Sequence, residues 1–280
     1  MTDHFSVIGF RAGSAEDLTR LISRLPEEDG EPLACGPGFY YRWRSVEGPE
    51  LWIHMLREET PAEEEGAVQE AYRVVGVTPF FSGEGRTPVR VTTIRSRPDD
   101  NAFEGAAFVE VAPGEKIHQC ATVALIDLVD FACAEGRETP FLASAQITAF
   151  PHELAVFPDE AAFEKAQEGE TVRFTPRSFF ASGLFSPSWE DGGEPVFHDP
   201  EGENFAAPAR AFFAGRVEKA GARANPVTGQ QFHWALLDIL GGRIDLVADT
   251  MLAKHPFQPG MIVQGEFWLC GRLFLDETEN

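Results

Sequence analysis

Alternation of apolar and polar positions dominates the chain and predicts strands over most of its length, with helices confined to a few stretches. Residues 5–12 (FSVIGFRA) read as a strand. Ser14 then has the character of a helix N-cap, with Glu16 and Asp17 in the first turn, where carboxylates favour the helix dipole. Leu18, Leu21, Ile22 and Leu25 give that helix one apolar face until Pro26 and Gly30 end it. A Gly/Pro loop follows from Pro32 to Gly38. Two strands come next, 39–46 and 50–57, joined across Glu47-Gly48-Pro49 as a hairpin. Thr60, Pro61 and Glu63 have the form of a capping box, and Val68, Ala71, Tyr72 and Val75 repeat at helical spacing behind them. The run Glu63-Glu64-Glu65 reads as the solvated first turn of that second helix, and residues 74–81 as a further strand.

Strand, helix, strand, strand, helix, strand is the ferredoxin-like βαββαβ order, expected over residues 1–85. A βαβββ module of the glyoxalase type competes for the same stretch. It calls for metal-ligating His and Glu on facing strands, where His4 and His54 are the only histidines. Residues 86–187 form a β-rich region with candidate strands at 88–96, 105–112, 118–132 and 141–157, the last interrupted at Pro151. Asp159 caps a helix over 160–168 that Gly169 stops. Asp127 and Asp130 stand in the apolar 118–132 stretch. Spaced three apart, they fall on opposite faces of a strand and are poorly placed to share a site; if buried they need partners. Residues 188–207, rich in Pro, Gly and acidic side chains, read as an acidic linker. His198, Asp199, Glu201 and Glu203 lack the Asp-x-Asp-x-Asp-Gly order of an EF-hand loop. No internal sequence repeat is evident.

The pattern is clearest from residue 208 onward. Residues 209–220 form a strand that Gly215 lets bend, and Asn225 to Gly229 make a turn. Residues 231–240 and 243–249 are strands joined at Gly241-Gly242. After a short connection at 250–255, residues 261–275 supply one bent strand or two short ones. Three strands, a connection and two strands resemble the OB superfamily in architecture. The resemblance covers residues 208–280 and implies a five-stranded barrel. The whole chain is therefore expected to be α+β and β-rich. The Gly-Gly turn predicts Asp238 opposite Asp245 and Leu237 opposite Leu246. Ala235, Leu237, Ile239, Ile244, Leu246 and Ala248 then line the barrel core. The outer face carries Phe232, Trp234, Leu236 and Val247 together with Asp238, Asp245 and Asp249, and is too apolar to be left wet.

Composition narrows the class. With 280 residues, 43% of them hydrophobic, the chain supports about two domains at roughly 100–200 residues each. It contains no apolar run of membrane-spanning length and no basic-then-apolar N-terminus, so a cytoplasmic protein without membrane attachment is expected. Cys35, Cys120, Cys133 and Cys270 form no CxxC pair and fit no zinc module; they are expected as buried, reduced thiols. Lysine is limited to four positions while Arg, Ala, Gly and Pro abound, a composition of bacterial type. The net charge is −22. Residues 206–275 carry seven basic against five acidic side chains, so the acidity is concentrated in the rest of the chain. Such a field repels nucleic acid and attracts basic proteins.

No nucleophile elbow, P-loop, dinucleotide fingerprint or HExxH is present, and Gly83-Glu84-Gly85 does not stand between a strand and a helix as a phosphate cradle would. The sequence therefore favours a binding or interaction protein without cofactor or metal, whose partner is a basic protein; a neutraliser of a basic toxin or nuclease is one version. Phe232, Trp234, Asp238, Asp245 and Asp249 are the candidate binding residues. Docking against the N-terminal body is the first use read for the aromatics. A like-charge Asp238–Asp245 pair calls for a neighbouring Arg (Arg210 or Arg216), or else for a cationic ligand, metal or basic partner. A hydrolase-type or metal-dependent site built from the same carboxylates is the alternative. Single-stranded nucleic-acid binding is the third reading, against which the acidic platform weighs.

Overall fold

Pairing between distant strands, more than local propensity, sets the architecture. The computed structural model describes residues 4–11, 14–61, 68–186, 196–200, 202 and 205–275. It is β-rich with mixed sheets. Four strands, β1 (Gly30–Cys35), β2 (Gly38–Arg44), β3 (Pro49–Pro61) and β4 (Val68–Phe81), form an antiparallel meander in sequence order. The expected helix α1 (Ala15–Ile22) is present, and the Ser14 hydroxyl accepts from the Asp17 amide at 3.1 Å. The expected strand over 5–12 is instead a 3-10 turn, Ser6–Ile8, and the expected helix after Thr60 is β4. The valines and tyrosine of 68–81 suit a strand, and β3 offers a partner along the whole length of β4. The observed order therefore differs from βαββαβ. Gly30–Cys35 also departs from the loop reading; it is an edge strand, where Pro32 is tolerated. Glu63-Glu64-Glu65 lies outside the described residues, as do Glu201 and Glu203.

The remaining strands are β5 (Thr87–Arg95), β6 (Ala106–Val111), β7 (Thr122–Leu128), β8 (Phe141–Phe157), β9 (Ser178–Phe180), β10 (Phe185–Ser186), β11 (Val196–Phe197), β12 (Arg210–Ala224), β13 (Gln231–Ile239), β14 (Gly242–Asp249) and β15 (Ile262–Phe274). Two short helices join them, α2 (Phe131–Ala134) and α3 (Glu160–Ala166), the latter capped by Asp159 as expected. Within one nine-stranded sheet, β5–β8 and β12–β15 are two copies of one four-strand plan. Each opens with a three-strand antiparallel meander, and its fourth strand returns antiparallel to its first. The third strand of each copy lies parallel to the fourth strand of the other: Asp127 and Leu128 pair with Cys270 and Gly271, and Asp245 and Leu246 with Thr148 and Ala149. The two fourth strands pair antiparallel over most of their length, with Thr148 opposite Cys270 at the pseudo-two-fold axis.

Two closed rings result. One contains β5, β6, β7, β15 and β8; the other contains β12, β13, β14, β8 and β15. The expected five strands around 208–280 are thus four from that segment, β15 being one continuous strand, plus β8 from the middle region. Strands on both sides of the expected linker share the sheet. β8 runs through Pro151 because His152 is an extra residue at a bulge, where the ladder is already broken.

One apolar cluster fills both rings, from Val89, Val109 and Ile126 to Leu237, Ile244 and Phe267. It includes every expected inward residue of the β13–β14 hairpin. The register of that hairpin differs from expectation by two residues. Leu240-Gly241 forms the turn, with Gly241 at φ +87°, so Asp238 faces Arg243 and Leu236 faces Asp245. Gly242 instead serves close packing: a Cβ there would stand 2.5 Å from the Thr87 side chain. A shift of two preserves the face of every side chain, which is why the core assignment survives it.

An acidic cleft over a buried arginine–glutamate pair

The hairpin face read as a binding platform is an internal contact. Phe232, Trp234, Leu236 and Val247 are buried with Val7, Ile8, Phe10, Phe80 and Phe81 in a second apolar cluster. The 4–11 segment lies across the hairpin, held by Ser6 Oγ to Asp249, Asn225 Nδ2 to the Ile8 carbonyl, and Thr228 Oγ1 to the Gly9 carbonyl. The three aspartates have separate partners. Asp245, 0% exposed, accepts from the Glu84 amide (3.0 Å), the Gly85 amide (2.9 Å) and Trp234 Nε1 (2.8 Å). Gly83-Glu84-Gly85 is thus an anion nest whose anion is the chain's own carboxylate. Asp249 caps the Met251 and Leu252 amides. Asp238 pairs with Arg177 at 3.1 Å, while Arg216 turns to Glu160. The expected Asp238–Asp245 like-charge pair is absent, and the partner of Asp238 is Arg177, neither Arg210 nor Arg216. With each carboxylate held by different donors, no shared acid/base pair forms on this face.

The other acids of interest are likewise engaged. Asp127 accepts from Arg97 and from Trp268 Nε1 (2.6 Å), and Asp130 from Arg272 (3.2 Å). Burial raises the pKa of both carboxyls, although their guanidinium partners oppose the shift. His4 stacks on Trp268 with centroids 4.4 Å apart. Burial, reinforced by His152 and Arg210, lowers its pKa to about 4. Of the four free cysteines, Cys270 is buried, Cys35 and Cys120 are half-buried and Cys133 is exposed, so the expectation of uniform burial fails. Among the described residues no three His, Cys, Asp or Glu side chains are grouped to hold a metal ion, and no helix is long and apolar enough to cross a membrane.

The site that the hairpin reading missed lies on β2 and β3. Arg42 and Trp52 are register partners, and Glu50 is two residues from Trp52 on the same face. Arg42 grips Glu50 with both Nε (3.0 Å) and Nη2 (2.5 Å), and Trp52 Nε1 adds a third donor at 2.9 Å. Glu50 is 1% exposed. Burial acts to lower the pKa of Arg42, but the hydrogen bonds and charge of Glu50 outweigh it and the pKa is raised. The Trp52 ring also meets Arg272, 5.1 Å from its centroid, which ties this floor to Asp130 of the barrel layer.

Above the floor opens a cleft of about 540 Å³ between the 3-10 turn Glu27–Asp29 and the β2–β3 turn. Glu28, Asp29, Glu31 and Glu50 line it against Arg42 and Arg44. Glu31 also bonds Arg42 (3.0 Å), whereas the exposed Glu28 and Asp29 meet no cation among the described residues. Val46 stands fully exposed at the rim. The sequence signal was an Arg and a Glu beside large aromatics, Tyr40 and Trp52, on the same face of two facing strands. A different exposed feature is a ladder of Phe180, Phe185 and Phe197, with successive centroids 5.2 and 5.4 Å apart.

Comparison with protein-family models, with curated proteins and with solved structures gave no match to this chain.

Proposed function

We propose that this chain is a non-catalytic binding protein whose acidic cleft captures a basic segment of a protein partner. The observation that carries the reading is an acidic rim on a rigid floor. Arg42 and Glu50 satisfy one another and hold the floor in place, and with Arg44 the one other cation in the lining, Glu28 and Asp29 carry the excess negative charge that receives a cation from outside. A volume near 540 Å³ accommodates one or two long cationic side chains, with Val46 beside them as an apolar contact. The net charge of −22 steers a basic partner toward the molecule and speeds encounter.

The test is fluorescence anisotropy of a labelled Lys/Arg-rich peptide against three proteins: wild type, Glu28→Lys/Asp29→Lys, and a control with the same charge change on the α3 side, Glu164→Lys/Glu168→Lys. Roughly tenfold or greater weakening in the cleft variant alone supports the reading. Equal weakening in both variants would reduce it to general attraction of opposite charges and refute a cleft site.

The ring of β12, β13, β14, β8 and β15 supports a further reading as an OB-type barrel in which β8 takes the fifth place. Three antiparallel strands, a third-to-fifth parallel contact and a fourth strand returning to the first are the features in its favour. OB folds commonly bind ligands on the face of strands two and three. Here the corresponding face carries Phe232 and Trp234 beneath the 4–11 segment, so the nucleic-acid alternative gains no support from the likeness.

A further inference from the structure

We infer that the groove between α1 and the 225–230 turn is a binding site for a phosphate-class oxyanion. Arg11, Arg20 and Arg24 line this groove of about 230 Å³ together with Asp17 and Leu21, facing Thr228 and Gln230. Three guanidiniums in one small groove run against the composition of a chain with 45 acidic and 23 Lys and Arg residues. Arg20 is partnered by Asp17 at 3.2 Å. Arg11 and Arg24 are exposed and have no acidic partner among the described residues. The C-terminal dipole of α1 favours a cation near Arg24, but it gives no reason for Arg11 to converge on the same place.

The walls are already assembled. Asn225 Nδ2 donates to the Ile8 carbonyl at 2.9 Å, Thr228 Oγ1 donates to the Gly9 carbonyl at 2.6 Å, and the Asn225 amide closes the turn on the Gln230 carbonyl at 2.9 Å. Gly9 adopts φ +82°, and a Cβ there would stand 2.6 Å from the Asn225 Cβ, so the strand of chain that delivers Arg11 is seated tightly on the turn. These bonds are spent within the chain; they fix the turn and the backbone that carries Arg11, and the donors left for a ligand are the exposed guanidiniums above them.

Guanidinium forks match phosphate oxygens, and the tetrahedral group presents acceptors in several directions at once. A planar carboxylate offers two oxygens in one plane and satisfies donors from three separate side chains less completely. The volume is sufficient for a phosphate or pyrophosphate. This site is opposite in sign to the acidic cleft and stands independently of the function proposed for it.

The probe is inorganic pyrophosphate, titrated calorimetrically at constant ionic strength, with inorganic phosphate and acetate in parallel. Saturable one-to-one binding of pyrophosphate is expected, weakened about tenfold or more by Arg11→Ala and by Arg24→Ala, and weakened again by added chloride. Arg24→Lys, which keeps the charge and loses the fork, is expected to fall between wild type and Arg24→Ala. Circular dichroism on each variant checks the fold; both positions are exposed. Absence of saturable binding to wild type overturns the site, as does undiminished binding by an Arg11→Ala/Arg24→Ala protein. Acetate binding as tight as pyrophosphate overturns the phosphate class.

Discussion

Asp127 and Asp245 occupy equivalent places in the two rings, each on the strand that lies parallel to the other copy's fourth strand, and each accepting an indole N–H, from Trp268 and Trp234 respectively. The parallel contact at each place spans two register pairs, so a carboxylate that gathers several donors there helps hold a short seam closed. Asp245→Ala leaves two backbone N–H groups and an indole without acceptor in the interior. A loss of about 3 kcal/mol is expected in urea unfolding, with Asp245→Asn costing less because one oxygen is retained. Asp127→Ala, which strips one carboxylate from the Arg97 guanidinium, is expected to cost a similar amount. Changes within a few tenths of a kcal/mol would show that the seams do not depend on these groups.

Because each ring borrows its closing strand, neither copy is complete alone. Residues 1–186 and 196–280, produced as separate polypeptides, are each expected to lack a cooperative unfolding transition. Mixing them is expected to restore near-ultraviolet circular dichroism from the packed tryptophans. Cooperative unfolding of either piece by itself would contradict the exchange of fourth strands as a requirement for folding.

His54 provides a pH signature. It is 1% exposed, stacks on Phe103 with centroids 5.3 Å apart and hydrogen-bonds with Thr78 at 3.2 Å. Burial lowers its pKa from 6.5 to about 4, and the Asn101 side chain opposes the shift only in part. Between these values the unfolded chain takes up a proton that the folded chain refuses. The contribution is therefore complete above pH 6.5 and is lost as pH falls toward 4. The stability difference between wild type and His54→Asn should shrink by roughly 2–3 kcal/mol between about pH 7.5 and about pH 4.5. The buried carboxyls with raised pKa act in the opposite sense, and they cancel in this comparison because both proteins carry them. A pH-independent difference would mean that His54 titrates normally.

The Arg42–Glu50 pair should behave as a unit. Arg42→Ala or Glu50→Ala alone strands a buried charge and is expected to cost about 3–5 kcal/mol. The double variant should lose less than the two single losses combined. Additive losses in a double-mutant cycle would argue that the two side chains are not coupled.

Much of the β-rich character was readable from alternation alone, including the inward face of the β13–β14 hairpin and the caps at Ser14 and Asp159. The hairpin register was not, because either glycine of Gly241-Gly242 suits a turn and the choice depends on Thr87, distant in sequence. The second helix failed for a related reason: Val68, Ala71, Tyr72 and Val75 fit helical spacing, but β3 supplies a long partner that only the folded chain reveals. The repeated four-strand plan left no sequence trace, since Gln146 and Thr148 stand where the other copy has Trp268 and Cys270. The apolarity of Phe232 and Trp234 did announce a covered surface. Their cover was misread: the apolar run 5–12 reads as a strand, but its apolar residues meet the hairpin from a 3-10 turn, Ser6–Ile8.

The most direct measurement of the acidic cleft is hydrogen exchange of the full chain with and without a saturating Lys/Arg-rich peptide, read by mass spectrometry. Slowed exchange is expected, concentrated in residues 27–31 and 42–50, and is expected to disappear in Glu28→Lys/Asp29→Lys. Protection centred instead on the Phe180–Phe185 ladder, or spread evenly over the acidic surface, would contradict the cleft as the place where a basic partner is held.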